Sequence, residues 1–196
     1  MVSPEKLKAG DTIGLAAPAF PVSKEKRDAG AALLERMGYH VAMGRCLKEL
    51  YNFHGYLAGD AKERAMDLNR MFADPEIKAI FCARGGYGSA HIMKYLDYEL
   101  IRKNPKIFVG YSDLTNLHSA LNQICGLVTF HGPMVVSNML SDYDDYSRES
   151  LKRALEMEPG QEMEFVNPPG KPSIGVLREG QARGQITGGN LSLIVG

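Results

Sequence analysis

Lys106-Ile107-Phe108-Val109-Gly110-Tyr111-Ser112-Asp113-Leu114-Thr115 is the stretch on which the reading of this 196-residue chain turns. A short apolar run meets Gly-Tyr-Ser-Asp and passes at once into a helical pattern, with Leu114, Leu117, Leu121 and Ile124 recurring at helical spacing. The pattern predicts strand, sharp turn and helix, with Ser112 at the turn. A hydroxyl there stands clear of both elements. It also sits at a helix N-terminus, where unpaired backbone N–H groups favour negative charge. A serine nucleophile needs both an exposed oxygen and donors for the oxyanion it creates. Serine is equally a preferred helix N-cap, so the turn by itself leaves two roles open.

Working outward, the same alternation repeats. Thr12 to Ala17 reads as a buried strand ended by Pro18, and Ser23 caps a helix running to Met37, with Ala29, Leu33 and Met37 on one face and Gly38 as terminator. His40 to Met43 is a second strand. Asp60 and Glu63 have capping-box spacing ahead of a helix that turns Ala65, Leu68, Met71 and Phe72 inward. Ile77 to Ala83 is a strand entering Arg84-Gly85-Gly86-Tyr87-Gly88, with a helix from about Ser89; Leu127 to Phe130 is a further strand, ending in His131-Gly132-Pro133. Strands alternating with helices indicate an α/β fold, a Rossmann-like layered domain around a largely parallel sheet. In such sheets ligands bind outside the carboxyl ends of the strands, which puts the Arg84 loop, Ser112 and His131 on one rim.

The pattern changes after Glu158. The α/β domain is expected over residues 1–158. Glu158-Pro159-Gly160 and Asn167-Pro168-Pro169-Gly170-Lys171-Pro172 mark a linker over 159–175. Residues 176–196 read as the incomplete beginning of a second domain, with a strand over Ala182 to Gly189 and the start of a helix over Asn190 to Val195.

Composition narrows the function classes. The 23 basic and 23 acidic residues cancel, so no basic excess points to nucleic acid as the main partner. Cys46, Cys82 and Cys125 are odd in number and widely spaced, which fits buried free thiols and cytosolic usage, without metal-ligand spacing. The N-terminus lacks the apolar core of a signal peptide and no run approaches the length of a membrane span, so a soluble cytoplasmic protein is expected.

Two groups on the rim carry candidate chemistry beside Ser112. The glycine loop fits neither G-x-G-x-x-G nor the phosphate-binding P-loop, having no Lys-Ser/Thr after the glycines. It reads either as a tight turn or as an oxyanion site that lets a substrate carbonyl approach the backbone. Arg84 has the chemistry to clamp a carboxylate. Thr115 breaks the G-x-S-x-G signature of α/β-hydrolases. Of the histidines, His118 shares the helix nearly two turns on, and His131 follows a neighbouring strand end; neither is fixed as a base by its spacing.

Taken together, Ala16-Ala17-Pro18, Gly55-Tyr56-Leu57-Ala58-Gly59 with Glu63-Arg64-Ala65-Met66-Asp67-Leu68-Asn69, Phe81-Cys82-Ala83-Arg84-Gly85-Gly86-Tyr87-Gly88-Ser89, Gly110-Tyr111-Ser112-Asp113-Leu114-Thr115, His131-Gly132-Pro133-Met134 and Gly188-Gly189-Asn190-Leu191-Ser192-Leu193 resemble the L,D-carboxypeptidase family. These are the muramoyltetrapeptide carboxypeptidases, which include the microcin-immunity peptidases. The resemblance implies a cytoplasmic serine peptidase of murein recycling that removes the terminal D-alanine from a tetrapeptide, cutting an L,D bond at the diamino acid. It implies Ser112 as nucleophile, the backbone of Asp113 and of the Gly85-Gly86 pair as oxyanion donors, no metal or organic cofactor, and often a homodimer. Arg84 and His131 are the substrate-binding candidates. The family completes a Ser-Glu-His triad from a C-terminal domain beyond the Gly-Gly-Asn segment, and no residue of this chain matches that glutamate or histidine. Ala19 stands where the family commonly has serine. Two other readings remain beside it: a non-catalytic peptide-binding module, and a phosphate- or nucleotide-binding α/β domain.

Overall fold

Five strands, β1 (Thr12–Ala16), β2 (His40–Met43), β3 (Ile77–Cys82), β4 (Ile107–Gly110) and β5 (Phe130–His131), pair in parallel throughout, in the spatial order β2-β1-β3-β4-β5. The computed structural model describes residues 1–158, 160–164, 167–168, 170–171 and 175–195. The helices are α1 (Lys24–Arg36), α2 (Arg45–Lys48), α3 (Ala61–Ala73), α4 (Tyr98–Lys103), α5 (Thr115–Cys125), α6 (Asp145–Leu155) and α7 (Leu191–Ile194). Two short 3₁₀ turns, Ala90–Tyr95 and Ser112–Leu114, and a π turn, Val135–Met139, complete the order. Among the described residues no helix is long and apolar enough to cross a membrane.

Period-two alternation gives the sheet two buried faces. Ile13, Leu15, Ala79, Phe81, Ile107 and Val109 face one layer with Leu34 of α1, Leu151 and Leu155 of α6, and the π turn. Ile80, Cys82 and Phe108 face the other, with Leu68, Met71 and Phe72 of α3, Ile101 of α4, and Leu117 and Leu121 of α5. Gly14 lies under α3, where a methyl group would come within 2.9 Å of Met71 Sδ. All three cysteines are free and buried.

The capping box of α3 forms as its spacing predicts: Asp60 Oδ1 accepts from Glu63 N at 2.8 Å, and Glu63 Oε2 accepts from Asp60 N at 3.0 Å. Elsewhere the expectations need correction. The buried face of α1 is Gly30, Ala31 and Leu34 rather than Ala29, which is exposed. The π turn sets that register, because Val135 and Val136 press on Gly30, where a methyl group would lie 2.9 and 3.2 Å from their Cγ1 atoms. The expected helix from Ser89 is a 3₁₀ turn followed by α4. The strand expected over 127–130 shortens to Phe130–His131, and Leu127 instead makes an isolated bridge to Val2. The strand expected over Ala182 to Gly189 does not form.

The C-terminal segment meets the domain at α5 and at Met1, whose Sδ lies 2.8 Å from Gln185 Nε2. Helix α7 packs on α5. Gly189, at φ 142°, sits so close to Thr115 that a methyl group on it would lie 2.4 Å from Cγ2. The expected linker, 159–175, falls partly outside the described residues.

Candidate active site

The carboxyl end of β4 runs into Tyr111, which is extended (φ −158°, ψ −168°), and then into Ser112, which adopts φ 63°. A non-glycine residue held in the left-handed region is strained and marks a position the surroundings over-determine. The N-cap role open from the sequence is not what Ser112 plays. The N-cap position of α5 falls at Leu114, without a side-chain bond, and Ser112 has its carbonyl tied by Thr115 Oγ1 at 2.8 Å. Its half-buried hydroxyl is therefore presented on a sharp turn rather than folded back onto the helix.

Facing it is the glycine loop. A methyl group on Gly85 would lie 3.2 Å from Ser112 Cβ, 3.4 Å from its Oγ and 3.5 Å from Asp113 N. A side chain at Gly85 would press on Ser112 Cβ, so glycine leaves the space between loop and hydroxyl open. Gly86, at φ 129°, is covered by the Phe20 ring, whose atoms would lie 2.3 to 2.6 Å from a methyl group there. The loop is braced on several sides. Ala83 N donates to Ala16 O at 2.7 Å, Val136 N to Ala83 O at 2.9 Å, and Phe20 N to Gly85 O at 3.4 Å. At its far end Ser89 N donates to Asp113 Oδ2 at 2.9 Å, and Ser89 Oγ bonds to Asp113 O.

Beneath the loop lies Arg64, only 1% exposed. Its Nε donates to Gly59 O at 3.1 Å and its Nη1 to Gly88 O at 2.9 Å and to Pro18 O, so one guanidinium holds three loop segments. No carboxylate pairs with it among the described residues. Burial pulls its pKa down, and the charges of Cys46, Asp113 and Asp60 oppose that.

The histidines divide. His118 is buried, with Nε2 2.8 Å from Gly110 O and Nδ1 2.8 Å from Thr129 Oγ1. A carbonyl only accepts, so Nε2 carries the proton and Nδ1 accepts from the threonine. Burial lowers the His118 pKa to about 4, against the raising effect of the Gly110 bond; the ring is neutral near pH 7 and both its nitrogens are engaged. It braces the β4 end. His131 is exposed on β5, its ring 5.9 Å from that of Tyr111 and 6.1 Å from that of His118, and among the described residues no hydrogen bond joins it to Ser112.

The rim therefore gathers Ser112, Asp113, Gly85, Gly86 and Arg84 at the carboxyl ends of β3 and β4, with His131 one strand away. Sequence reasoning passed over Phe20, which follows β1 in an otherwise small-residue segment, and Ser89, whose role appears only when its amide meets Asp113. Neither has a local signature. Thr115, which the sequence marks only as breaking the G-x-S-x-G signature, also ties the turn: its hydroxyl donates to Ser112 O and accepts from Asn190 N at 3.0 Å.

The profile of the LD-carboxypeptidase N-terminal domain, peptidase family S66, matches residues 13–132. A probable murein peptide carboxypeptidase of Bacillus subtilis is 45% identical over 192 residues, which is 97% of this chain and 58% of the relative. The crystal structure of an MccF-like protein from Bacillus anthracis matches with a TM-score of 0.72 at 36% identity, over 79% of this chain and 47% of that one. The microcin C7 self-immunity protein MccF of Escherichia coli, in complex with aspartyl sulfamoyl adenosine, matches with a TM-score of 0.78 at 29% identity, over 86% of this chain and 51% of that one. The chain thus spans little more than half the length of the curated relative from Bacillus subtilis.

Proposed function

This chain belongs to the LD-carboxypeptidase family, peptidase S66, and from that premise we propose that it carries the nucleophile half of a serine L,D-carboxypeptidase that removes the C-terminal D-alanine from murein tetrapeptides during cell-wall recycling in the cytoplasm. The observation that carries the reading is Ser112 at φ 63° on the rim of a parallel sheet, its side chain faced by Gly85 of the glycine loop. In this reading Ser112 Oγ attacks the carbonyl of the bond between the diamino acid and D-alanine. The backbone N–H of Asp113 and one N–H of the Gly85-Gly86 pair take the oxyanion. The proton from Ser112 passes through a base to the leaving amine, and water then releases the acyl group.

His118 is unsuited to be that base, since both nitrogens are engaged within the fold. The base and its orienting glutamate belong, in this proposal, to a C-terminal part of the kind the longer relatives have. The glycine loop lacks the Lys-Ser/Thr of a phosphate-binding P-loop, which weakens the nucleotide-binding alternative. The likeness to MccF favours one variant of the substrate, an aminoacyl nucleotide in place of a murein peptide.

The test assays the native gene product with a murein tetrapeptide, following released D-alanine. Ser112→Ala should lower turnover by roughly a thousandfold or more. Turnover near that of the unaltered protein would discard Ser112 as nucleophile. A parallel assay with aspartyl sulfamoyl adenosine assigns the substrate branch by the larger kcat/KM.

A further inference from the structure

The strand order 2-1-3-4-5 has its switch point between β1 and β3, where the chain leaves β1 toward one edge of the sheet and resumes at β3 toward the other. Doubly wound sheets open a crevice there. In this protein the crevice holds a cavity of about 240 Å³ lined by Val22, Ser23, Lys26, Arg84, Val136 and Ser137. Two of the six are cations and none is an acid. Among the described residues neither Arg84 nor Lys26 makes an ion pair with a carboxylate. Glu25, beside Lys26 in sequence, is bonded to Ser23 and its own backbone.

Two further features mark the cavity as built for an anion. Arg84 Nε is buried without a hydrogen-bond partner among the described residues, an arrangement that costs free energy unless an acceptor arrives. The guanidinium lies 5.3 Å from the centroid of the Phe20 ring, the ring that covers Gly86, so its plane is held in place from one side. Lys26 stands in the first turn of α1, which begins at Lys24. The helix dipole disfavours a cation at that end, and a bound anion between Lys26 and Arg84 offsets it.

We propose that this cavity seats the C-terminal carboxylate of the peptide, with Arg84 and Lys26 as its two cationic walls. The proposal rests on the carboxypeptidase reading and deepens it. Arg84 directly precedes Gly85, the residue that faces Ser112, so the cavity wall and the nucleophile belong to the same rim. A carboxylate held by Arg84 presents the terminal peptide bond toward that rim. A side-on pair of N–H···O bonds to the guanidinium supplies the orientation, and Lys26 supplies charge.

The experiment uses the native gene product and two tetrapeptides, one ending in D-alanine and one in D-alanine amide. The unaltered protein should prefer the free acid. Lys26→Met should raise KM for the acid by roughly tenfold or more, as expected for losing a charged contact, with kcat largely kept, and should leave the amide unaffected. Lys26→Arg should restore the acid KM, which a merely structural defect would not allow. Three results overturn the proposal: equal cleavage of acid and amide by the unaltered protein, an unchanged acid KM in Lys26→Met, or equal losses on both peptides. Absence of cleavage of either peptide by the unaltered protein is a distinct result that removes the carboxypeptidase reading and the carboxylate seat with it.

Discussion

Asp113 reaches across the rim to accept a hydrogen bond from Ser89 N at 2.9 Å, so the residue after Ser112 fastens the far end of the glycine loop. Asp113 is 5% exposed and Ser89 is fully buried. The turn bearing the hydroxyl and the loop facing it are thus joined at two points, Gly85 against Ser112 and Ser89 against Asp113.

Asp113→Ala removes the acceptor and leaves a buried amide unpaired. The expected loss is roughly 1.5–3 kcal/mol of stability, the range for a bond to a charged group. Asp113→Asn keeps an oxygen in place and should lose less. Urea unfolding of the two variants orders them; equal losses would mean that Asp113 matters for its charge and not for the bond to Ser89.

Strain at Ser112 has its own measurable sign. Alanine at this position keeps a Cβ at φ 63°, whereas glycine adopts that conformation freely. Ser112→Gly should therefore be more stable than Ser112→Ala by about 1 kcal/mol, although both lack the nucleophile. A stability order with alanine above glycine would show the turn to be relaxed.

Arg64 is the deepest charge in the fold, and its value lies in three carbonyls rather than in an ion pair. Arg64→Met fills the volume but strands Gly59 O and Pro18 O and leaves Gly88 O with only its bond from His91 N. It should cost roughly 2 kcal/mol or more, at about 1 kcal/mol or above for each buried carbonyl left bare. Arg64→Lys, with a single ammonium in place of the fork, should recover only part of the loss. Full stability in Arg64→Met, read from a denaturant midpoint with unchanged slope, would contradict the role.

His118 predicts a pH dependence. Its pKa falls from 6.5 to about 4 on folding because the ring is buried. Between these values the unfolded chain binds a proton that the native state excludes. The stability from this group is complete above pH ~6.5, declines as pH drops, and is lost by pH ~4, a swing of roughly 3 kcal/mol. The acid limb of the stability curve should be shallower in His118→Gln by about that amount. Parallel limbs for the two proteins would rule the buried neutral ring out as the source.

Much of this was readable in the sequence where one local signal decided the matter. The box of Asp60 and Glu63, the run from Ile107 to Gly110, and the apolar face of α3 all follow from residues close in sequence. The left-handed backbone of Ser112 did not, since nothing in Gly-Tyr-Ser-Asp distinguishes a capping serine from one bent by its neighbours. Helix α6 was missed for a different reason. Its buried side chains are only Leu151 and Leu155, too few to display a period. The strand expected over 182–189 carried suitable residues, but a strand is defined by a partner, and none meets it among the described residues. The candidate site lay between these cases: Ser112, the glycine pair and Arg84 stood out, while Phe20, Ser89 and Lys26 acquire meaning only from what the fold sets beside them.

The interior place of β1, between β2 and β3, bears on how the chain is made. β1 is the first strand to be synthesised, and β2 follows after one helix, so these two can pair early. The opposite edge of β1 must wait for β3, which lies beyond α2 and α3. Until then Ile13 and Leu15 flank an open ladder of unpaired backbone groups, a template for another nascent chain. A ribosome that stalls between residues 44 and 76 would hold the protein in its most adhesive form. A strand paired on both sides in the finished sheet is thus open on one side for this part of its synthesis.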